Sequence, residues 1–176
     1  SGALFVSSSF GNNIEKSLLT KEAEIDKSAF AIRTIETDYL VAGGGMSGVC
    51  TALAAARNGL KVVLLQNRSR LGGNASSEVR MHICGATRLK QVWRETGILE
   101  EIMLTESYTN PQNSWEILDY ILYDKMVSNR NITLLLDTML YNVETSGSKI
   151  KKIEAYCSQT EEVYTIKAKY FADCTG

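Results

Sequence analysis

Hydrophobic positions in the first part of the chain predict a strand, a helix and a second strand in succession. An apolar run at residues 39–42 leads into glycines. One face of the stretch that follows carries helically spaced small and apolar residues, namely Val49, Ala52, Leu53 and Ala56. Gly59 stands where a helix C-terminus favours a left-handed residue, and residues 61–65 form another apolar run. The pattern predicts a compact βαβ unit.

The period of the apolar positions changes from helical to alternating in the second half of the chain. Helical stripes occupy residues 95–106 and 114–127, and residues 132–136 are a short apolar run that predicts a third parallel strand. Three later segments alternate or are rich in β-forming residues: 139–144, 149–156 and 163–171. We expect these three to form an antiparallel meander that returns to the parallel sheet. The fold class is therefore α/β.

Three glycines between the first strand and the first helix are spaced as G-x-G-x-x-G, at Gly43, Gly45 and Gly48. In such a motif the first glycine permits a tight turn, the second lets backbone approach a pyrophosphate, and the third lets the helix pack close to the strand. A phosphate would lie on free N–H groups in the first turn of the helix, at Met46 and Ser47. The spacing predicts a dinucleotide site.

The end of the second strand departs from the usual pattern of dinucleotide sites. A carboxylate normally binds the ribose hydroxyls about twenty residues after the glycines, and here Gln66 holds that position. A neutral amide accepts a ribose hydrogen bond, although without the extra strength of an ionised acceptor. Asn67 and Arg68 follow and extend this end of the site. Since a neutral residue beside Arg68 does not repel a 2′-phosphate, an NADP-type pocket is an alternative.

Two further segments resemble FAD-dependent oxidoreductases of the glutathione-reductase-like FAD/NAD(P)-binding superfamily. They are residues 70–86, which contain G-G-N-A-S-S-E-V-R-M-H-I-C-G-A, and residues 171–176, F-A-D-C-T-G. The chain is most similar, over residues 36–176, to a bacterial family known as FAD-dependent oxidoreductases. This resemblance implies a Rossmann-like parallel sheet with an antiparallel β-meander insertion, incomplete at the C-terminus, and FAD as the cofactor.

The resemblance also implies which residues contact FAD and which lie near its reactive ring. The double glycine packs against the pyrophosphate and ribityl region, Leu140 offers backbone to the adenine, and the final strand end adds contacts. The implied set is Gly72, Gly73, Asn74, Ala75, Leu140, Thr175 and Gly176. Because the segment after the double glycine runs toward the flavin in related proteins, Arg80, His82 and Cys84 are the catalytic candidates. Strand alternation would turn His82 and Cys84 the same way.

Composition excludes several other functions. Hydrophobic residues make up 44% of the sequence and the formal net charge is −1, so no basic stripe suits nucleic acid. No apolar run approaches the length of about 20 residues that a membrane-spanning helix needs. The four cysteines show no C-x-x-C spacing, and His82 with Cys84 supplies only two ligands, so we expect no metal site.

The sequence divides at residue 35. Residues 1–34 form a lead-in, whose opening residues 1–11 resemble a signal-peptide remnant, which leaves cytoplasmic and periplasmic or secreted locations open. Residues 35–176 are expected to be the truncated N-terminal part of an FAD-binding domain, inactive alone. The leading interpretation is a flavin-dependent oxidoreductase acting on an unidentified small molecule, with NAD(P) or another electron donor or acceptor. The alternatives are an NAD(P)-binding dehydrogenase and a redox-silent nucleotide-binding module.

Overall fold

The computed structural model describes residues 30–83 and 96–176. Residues 1–11 and Cys84, for which the sequence suggested roles, lie outside these ranges. The elements in chain order are β1 (Ala31–Ala42), α1 (Met46–Arg57), β2 (Val62–Leu65), a 3₁₀ turn (Gly73–Ala75), α2 (Ile98–Thr109), α3 (Trp115–Val127), β3 (Ile132–Leu135), β4 (Thr138–Ser146), β5 (Lys149–Cys157) and β6 (Glu162–Asp173).

The described strands form one six-stranded sheet in the order β3-β2-β1-β6-β5-β4. The strands β3, β2, β1 and β6 run parallel, whereas β6, β5 and β4 pair antiparallel. The last strand of the meander is therefore also a strand of the parallel sheet. This arrangement confirms the predicted Rossmann-like sheet with a β-meander. The strand order reverses at β1, which makes the carboxyl ends of β1 and β6 a topological switch point.

The first strand is longer than its apolar run. It begins at Ala31, within the predicted lead-in, and pairs with β6 from Ala31 opposite Glu162 to Ala42 opposite Asp173. The first half of β1 is mostly exposed and its last residues are buried. Local hydrophobicity indicates only the buried end, because the exposed half is held by backbone pairing with a strand far along the chain.

Two hydrophobic cores cover the two faces of the parallel strands. Alternate residues of a strand point to opposite faces. Val41 and Leu64 pack against the helices α1, α2 and α3. Leu40 and Val63 face a second cluster, which includes Ile153 of the meander. Burial on both faces explains why the ends of these strands are continuous apolar runs.

The helices differ from their predicted bounds by a few residues. The helix α2 begins at Ile98 and not at residue 95, because Gly97 has a φ of 73° and breaks the helical backbone. The helix α3 agrees with the prediction to one residue. None of the helices in the described ranges combines the length and apolar character that crossing a bilayer requires.

Candidate functional site

A cavity of about 710 Å³ opens beyond the carboxyl ends of β1, β2 and β6, at the switch point of the sheet. Sites for small molecules and cofactors usually measure about 300–1,000 Å³ and occupy this place in α/β sheets. The cavity lining contains most of the residues that the sequence suggested: Gly43, Gly45, Met46, Ser47, Gln66, Asn67, Arg68, Gly72, Gly73, Asn74, Ala75, His82, Leu140, Thr175 and Gly176.

Two glycines of the G-x-G-x-x-G motif are required by the fold itself. Gly43 has a φ of +100°, and a Cβ built on it would lie 2.3 Å from the carbonyl oxygen of Cys174. A Cβ on Gly48 would lie 1.8 Å from the carbonyl oxygen of Gly43. Neither residue can carry a side chain without moving backbone. These glycines therefore set the turn and the close packing of α1 against the strands.

Gly45 is different, because neither its backbone angles nor its contacts with the described residues require glycine. Its backbone angles, φ −64° and ψ 177°, are open to any residue. A Cβ built there would meet no atom of the described residues within 4 Å, although Gly45 lines the cavity. The following helix has no side-chain cap from these residues and no acidic residue in its first turn, so its first N–H groups are left as donors for a ligand. The site thus suits a phosphate group lying against bare backbone.

The double glycine forms the opposite edge of this backbone surface. The Gly72 N–H donates to the carbonyl oxygen of Gly44 at 2.8 Å, and Gly45 and Gly72 form a parallel bridge. A Cβ on Gly73 would lie 3.3 Å from the Cα of Gly45. The two glycine segments, which are separate in sequence, therefore lie side by side at the cavity.

Gln66 lies on the cavity lining, but its amide is directed at backbone. Its exposure is 6%, its Oε1 accepts a hydrogen bond from the Gly44 N–H at 2.9 Å, and its Nε2 donates to the Arg70 carbonyl at 2.8 Å. Asn67 is exposed and its side chain has no hydrogen-bond partner among the described residues. The Arg68 guanidinium lies 3.2 Å from the Glu78 carboxylate. The cation that suggested an NADP-type pocket is therefore already paired.

A buried carboxylate attaches the segment after the double glycine to α3. Asp119 has 6% exposure and accepts hydrogen bonds from both the N–H, at 3.0 Å, and the hydroxyl of Ser77. The Nε of Arg70 lies 3.5 Å from the same carboxylate. Sequence reasoning missed Asp119. The available signal was an acidic residue inside the apolar stripe of a helix, next to Leu118, where a charge needs partners.

Two of the three catalytic candidates, Arg80 and His82, lie in the described part of the chain, and they point to different places. Arg80 has a φ of 60° and directs its guanidinium at Glu116, at 3.1 Å, away from the cavity lining. The His82 ring lines the cavity, with its centroid 4.8 Å from the centroid of Trp115. The expectation of a strand here is wrong for residues 81–83, because the Met81 N–H bonds back to the Asn74 carbonyl and bends the chain.

The end of the chain contributes a turn beside the glycine-rich loop. The Asp173 carboxylate accepts hydrogen bonds from the N–H and the hydroxyl of Thr175, at 3.0 and 2.7 Å. These bonds lower the pKa of Asp173. The turn presents Thr175 and Gly176 to the cavity, and the sequence analysis had not identified Asp173 as its anchor.

Comparisons with known proteins agree with this arrangement. The sequence model of a family described as FAD dependent oxidoreductase matches residues 38–176. Aklavinone 12-hydroxylase DnrF from Streptomyces peucetius is 32% identical over 88 residues, which are 49% of this chain and 17% of the hydroxylase. The chain therefore corresponds to a small part of this relative.

Solved structures show the same fold at low sequence identity. The myxobacterial chondrochloren halogenase CndH, a variant of FAD-dependent halogenases, superimposes with a TM-score of 0.57 and 15% identity, over 80% of this chain and 37% of that one. Adenylylsulfate reductase from Archaeoglobus fulgidus gives a TM-score of 0.54 and 16% identity, over 84% of this chain and 31% of that one. These matches support the fold assignment.

Proposed function

Because this chain belongs to the family of FAD-dependent oxidoreductases, we propose that it holds the pyrophosphate of FAD between the glycine-rich loop and the double glycine. The N–H groups of Met46 and Ser47 at the start of α1 face the phosphates. The remaining lining residues at the ends of β2 and β6 and at the start of β4 hold the adenosine and ribityl parts.

The observation that carries this proposal is the bare backbone at Gly45. Neither its dihedral angles nor the described residues around it exclude a side chain. Its neighbours Gly43 and Gly48 are glycine for reasons internal to the fold. A residue that lacks a side chain without structural need, on a cavity wall and at a helix N-terminus, favours a ligand that approaches the backbone there.

The reaction proposed for the whole protein is electron transfer between FAD and a small molecule. Bound flavin supplies hydride or single-electron chemistry, and the protein supplies orientation and electrostatics. NAD(P) or another electron donor or acceptor completes the cycle. The NADP-binding alternative is less favoured because the Arg68 guanidinium is paired with Glu78, a carboxylate that would repel a 2′-phosphate beside it.

Replacing Gly45 with valine tests the cofactor site in the full-length protein. The side chain would fill pyrophosphate space, so we expect FAD affinity to fall about tenfold to hundredfold, while the loss of the glycine N-cap lowers stability by about 1 kcal/mol. The matched control is Gly59→Ala, at a positive φ and away from the cavity lining. It should lower stability by about 1 kcal/mol and keep FAD. Normal flavin content in the Gly45→Val protein would contradict the proposal.

We also propose that His82 moves a proton when the flavin is reduced or reoxidised. It lines the cavity and is exposed, whereas Arg80 is bonded outside the lining. Loss of a positioned acid or base typically slows a reaction about 10² to 10⁴-fold. His82→Gln should therefore slow flavin turnover by this factor at unchanged flavin content, and Arg80→Gln should not. Unchanged kinetics in both variants would remove His82 from the reaction.

A further inference from the structure

We infer that Gln66 is a positioning residue that joins the two cofactor loops, and that the ribose contact belongs to its neighbour Asn67. This inference rests on the proposed binding of FAD in the cavity. It changes the interpretation of the position where a dinucleotide site normally carries an acidic ribose ligand.

The hydrogen bonds of Gln66 connect backbone on both sides of the pyrophosphate position. Its Oε1 accepts from the Gly44 N–H, inside the glycine-rich loop. Its Nε2 donates to the Arg70 carbonyl, two residues before Gly72. The side chain is 6% exposed, and a Cβ on Gly44 would lie 3.0 Å from the Gln66 Cβ. Both functional atoms of the amide are thus bonded to backbone of the two glycine-containing loops.

An amide is the group that these two loops require at this position. One loop presents an N–H and the other presents a carbonyl, so the side chain needs an acceptor and a donor. A carboxylate would accept from Gly44 but would place a second acceptor against the Arg70 carbonyl. A charge in this buried place would then have lost one of its two hydrogen bonds. Glutamine is therefore selected by the loops.

Asn67 has the properties that a ribose ligand needs. It lines the same cavity, is exposed, and makes no side-chain hydrogen bond among the described residues. Its amide can accept from a ribose hydroxyl without breaking an existing contact. The carboxylate that dinucleotide sites usually carry would accordingly be tolerated at position 67 and harmful at position 66.

Introducing a carboxylate at position 66 or at position 67 tests the inference, because FAD affinity should fall in the first case and be kept or rise in the second. In the full-length protein we expect Gln66→Glu to weaken FAD binding about tenfold at pH 8. Below the pKa of the new side chain, its O–H can donate to the Arg70 carbonyl, so the loss should shrink toward pH 5. We expect the Asn67→Asp protein to bind FAD as tightly as the parent or more tightly. The affinity of the Asn67→Ala protein for both FAD and AMP should fall about tenfold.

The dissociation constants are compared with the parent protein at each pH, because other charged or ionisable groups lie near position 66. These are Arg68 and Arg70 on its own loop, Glu78 paired with Arg68, Asp137 before β4, and His82 and Cys174 on the cavity lining. The ratio of variant to parent removes their common contribution.

The outcomes separate the inference from the function on which it rests. A parent protein that does not bind FAD would refute the proposed function. A parent that binds, with Gln66→Glu binding more tightly as pH rises, would assign the ribose to Gln66 and overturn the inference. If the Gln66→Glu protein does not fold, the FAD and AMP affinities of Asn67→Ala test the ribose assignment. Asn67 is exposed, so removing its side chain should not affect stability. Parent-like FAD and AMP binding by Asn67→Ala would then refute the ribose assignment.

Discussion

The two glycine segments at the cavity reach their shapes by different means. Residues 43–48 are fixed by their own backbone and by the strand ends beside them, as the clashes at Gly43 and Gly48 show. Residues 72–83 are held from outside by α3, where Asp119 accepts from Ser77, Glu116 pairs with Arg80, and Trp115 packs against His82. The first segment is a local motif, and the second depends on tertiary contacts.

This difference predicts which substitutions disrupt each segment. The local motif tolerates the loss of distant side chains but not the addition of one methyl group at the wrong glycine. The supported segment depends in addition on its polar anchor, the Asp119 carboxylate of α3. Substitutions that affect residues 43–48 and residues 72–83 separately test whether the two segments differ in this way.

The largest effect is expected from adding a methyl group at Gly48. The new Cβ would lie 1.8 Å from the Gly43 carbonyl oxygen, so Gly48→Ala must displace α1 or the loop. We expect a loss of about 3 kcal/mol in the free energy of unfolding, together with loss of FAD. Gly45→Ala, three residues earlier, should cost only the glycine N-cap preference of about 1 kcal/mol, because no atom of the described residues lies within 4 Å of the new Cβ. Denaturant unfolding of both variants measures the contrast, and equal stability would show that the loop is not rigid.

Replacing Asp119, the residue of α3 that anchors residues 72–83, should give the next largest loss of stability. Asp119→Ala would leave the N–H and hydroxyl of Ser77 without their acceptor and Arg70 without its partner. We expect the free energy of unfolding to fall by about 1–3 kcal/mol and FAD binding to weaken. The control is Asp124→Ala on the same helix, where the carboxylate is exposed and, among the described residues, accepts a side-chain hydrogen bond only from Ser128. Full FAD affinity in the Asp119→Ala protein would show that the double-glycine segment keeps its shape without α3.

The smallest loss of stability is expected from breaking the ion pairs through which α2 links α1 and α3. Glu101 on α2 lies 2.8 Å from both Arg57 of α1 and Lys125 of α3, and these contacts lower its pKa from 4.5 to about 2. A depressed carboxyl pKa stabilises the folded state above about pH 4.5, and this contribution is lost as the pH falls toward 2.

Solvent screening limits the size of this contribution, because the Glu101 side chain is 41% exposed. We expect Glu101→Gln to reduce stability by about 1 kcal/mol or less at pH 7, and by less still near pH 2. Thermal unfolding across this range, with Glu106→Gln as the control on the same helix, measures the difference. A pH-independent loss would mean that packing and not charge links the helices.

Sequence reasoning found the parts of the site that local chemistry determines. Glycine spacing identified the first loop, because positive φ and close approach restrict the residue at Gly43 and Gly48. Apolar runs identified β2, which is buried throughout, and β3, which is buried at Ile132. The meander was predicted correctly from three β-rich segments, which pair antiparallel.

The remainder depends on contacts that no local pattern records. The anchoring role of Asp119 requires knowing that α3 packs beside Ser77, forty-two positions away in the chain. The first half of β1 requires knowing its distant partner strand. Gln66 stands where the motif expects a ribose ligand, and only the positions of Gly44 and Arg70 reveal that its amide has two backbone partners.

The pairing of β1 with β6 has a consequence for the order in which the chain folds. Residues near position 31 align with residues near 162, so the central strand of the sheet waits for a segment that is synthesised much later than itself. Until then β1 presents an open edge, and its buried Leu40 and Val41 lack one neighbouring strand. Contacts this distant close slowly and leave apolar surface exposed during folding. We expect refolding to be limited by the capture of β6, with aggregation competing at high protein concentration.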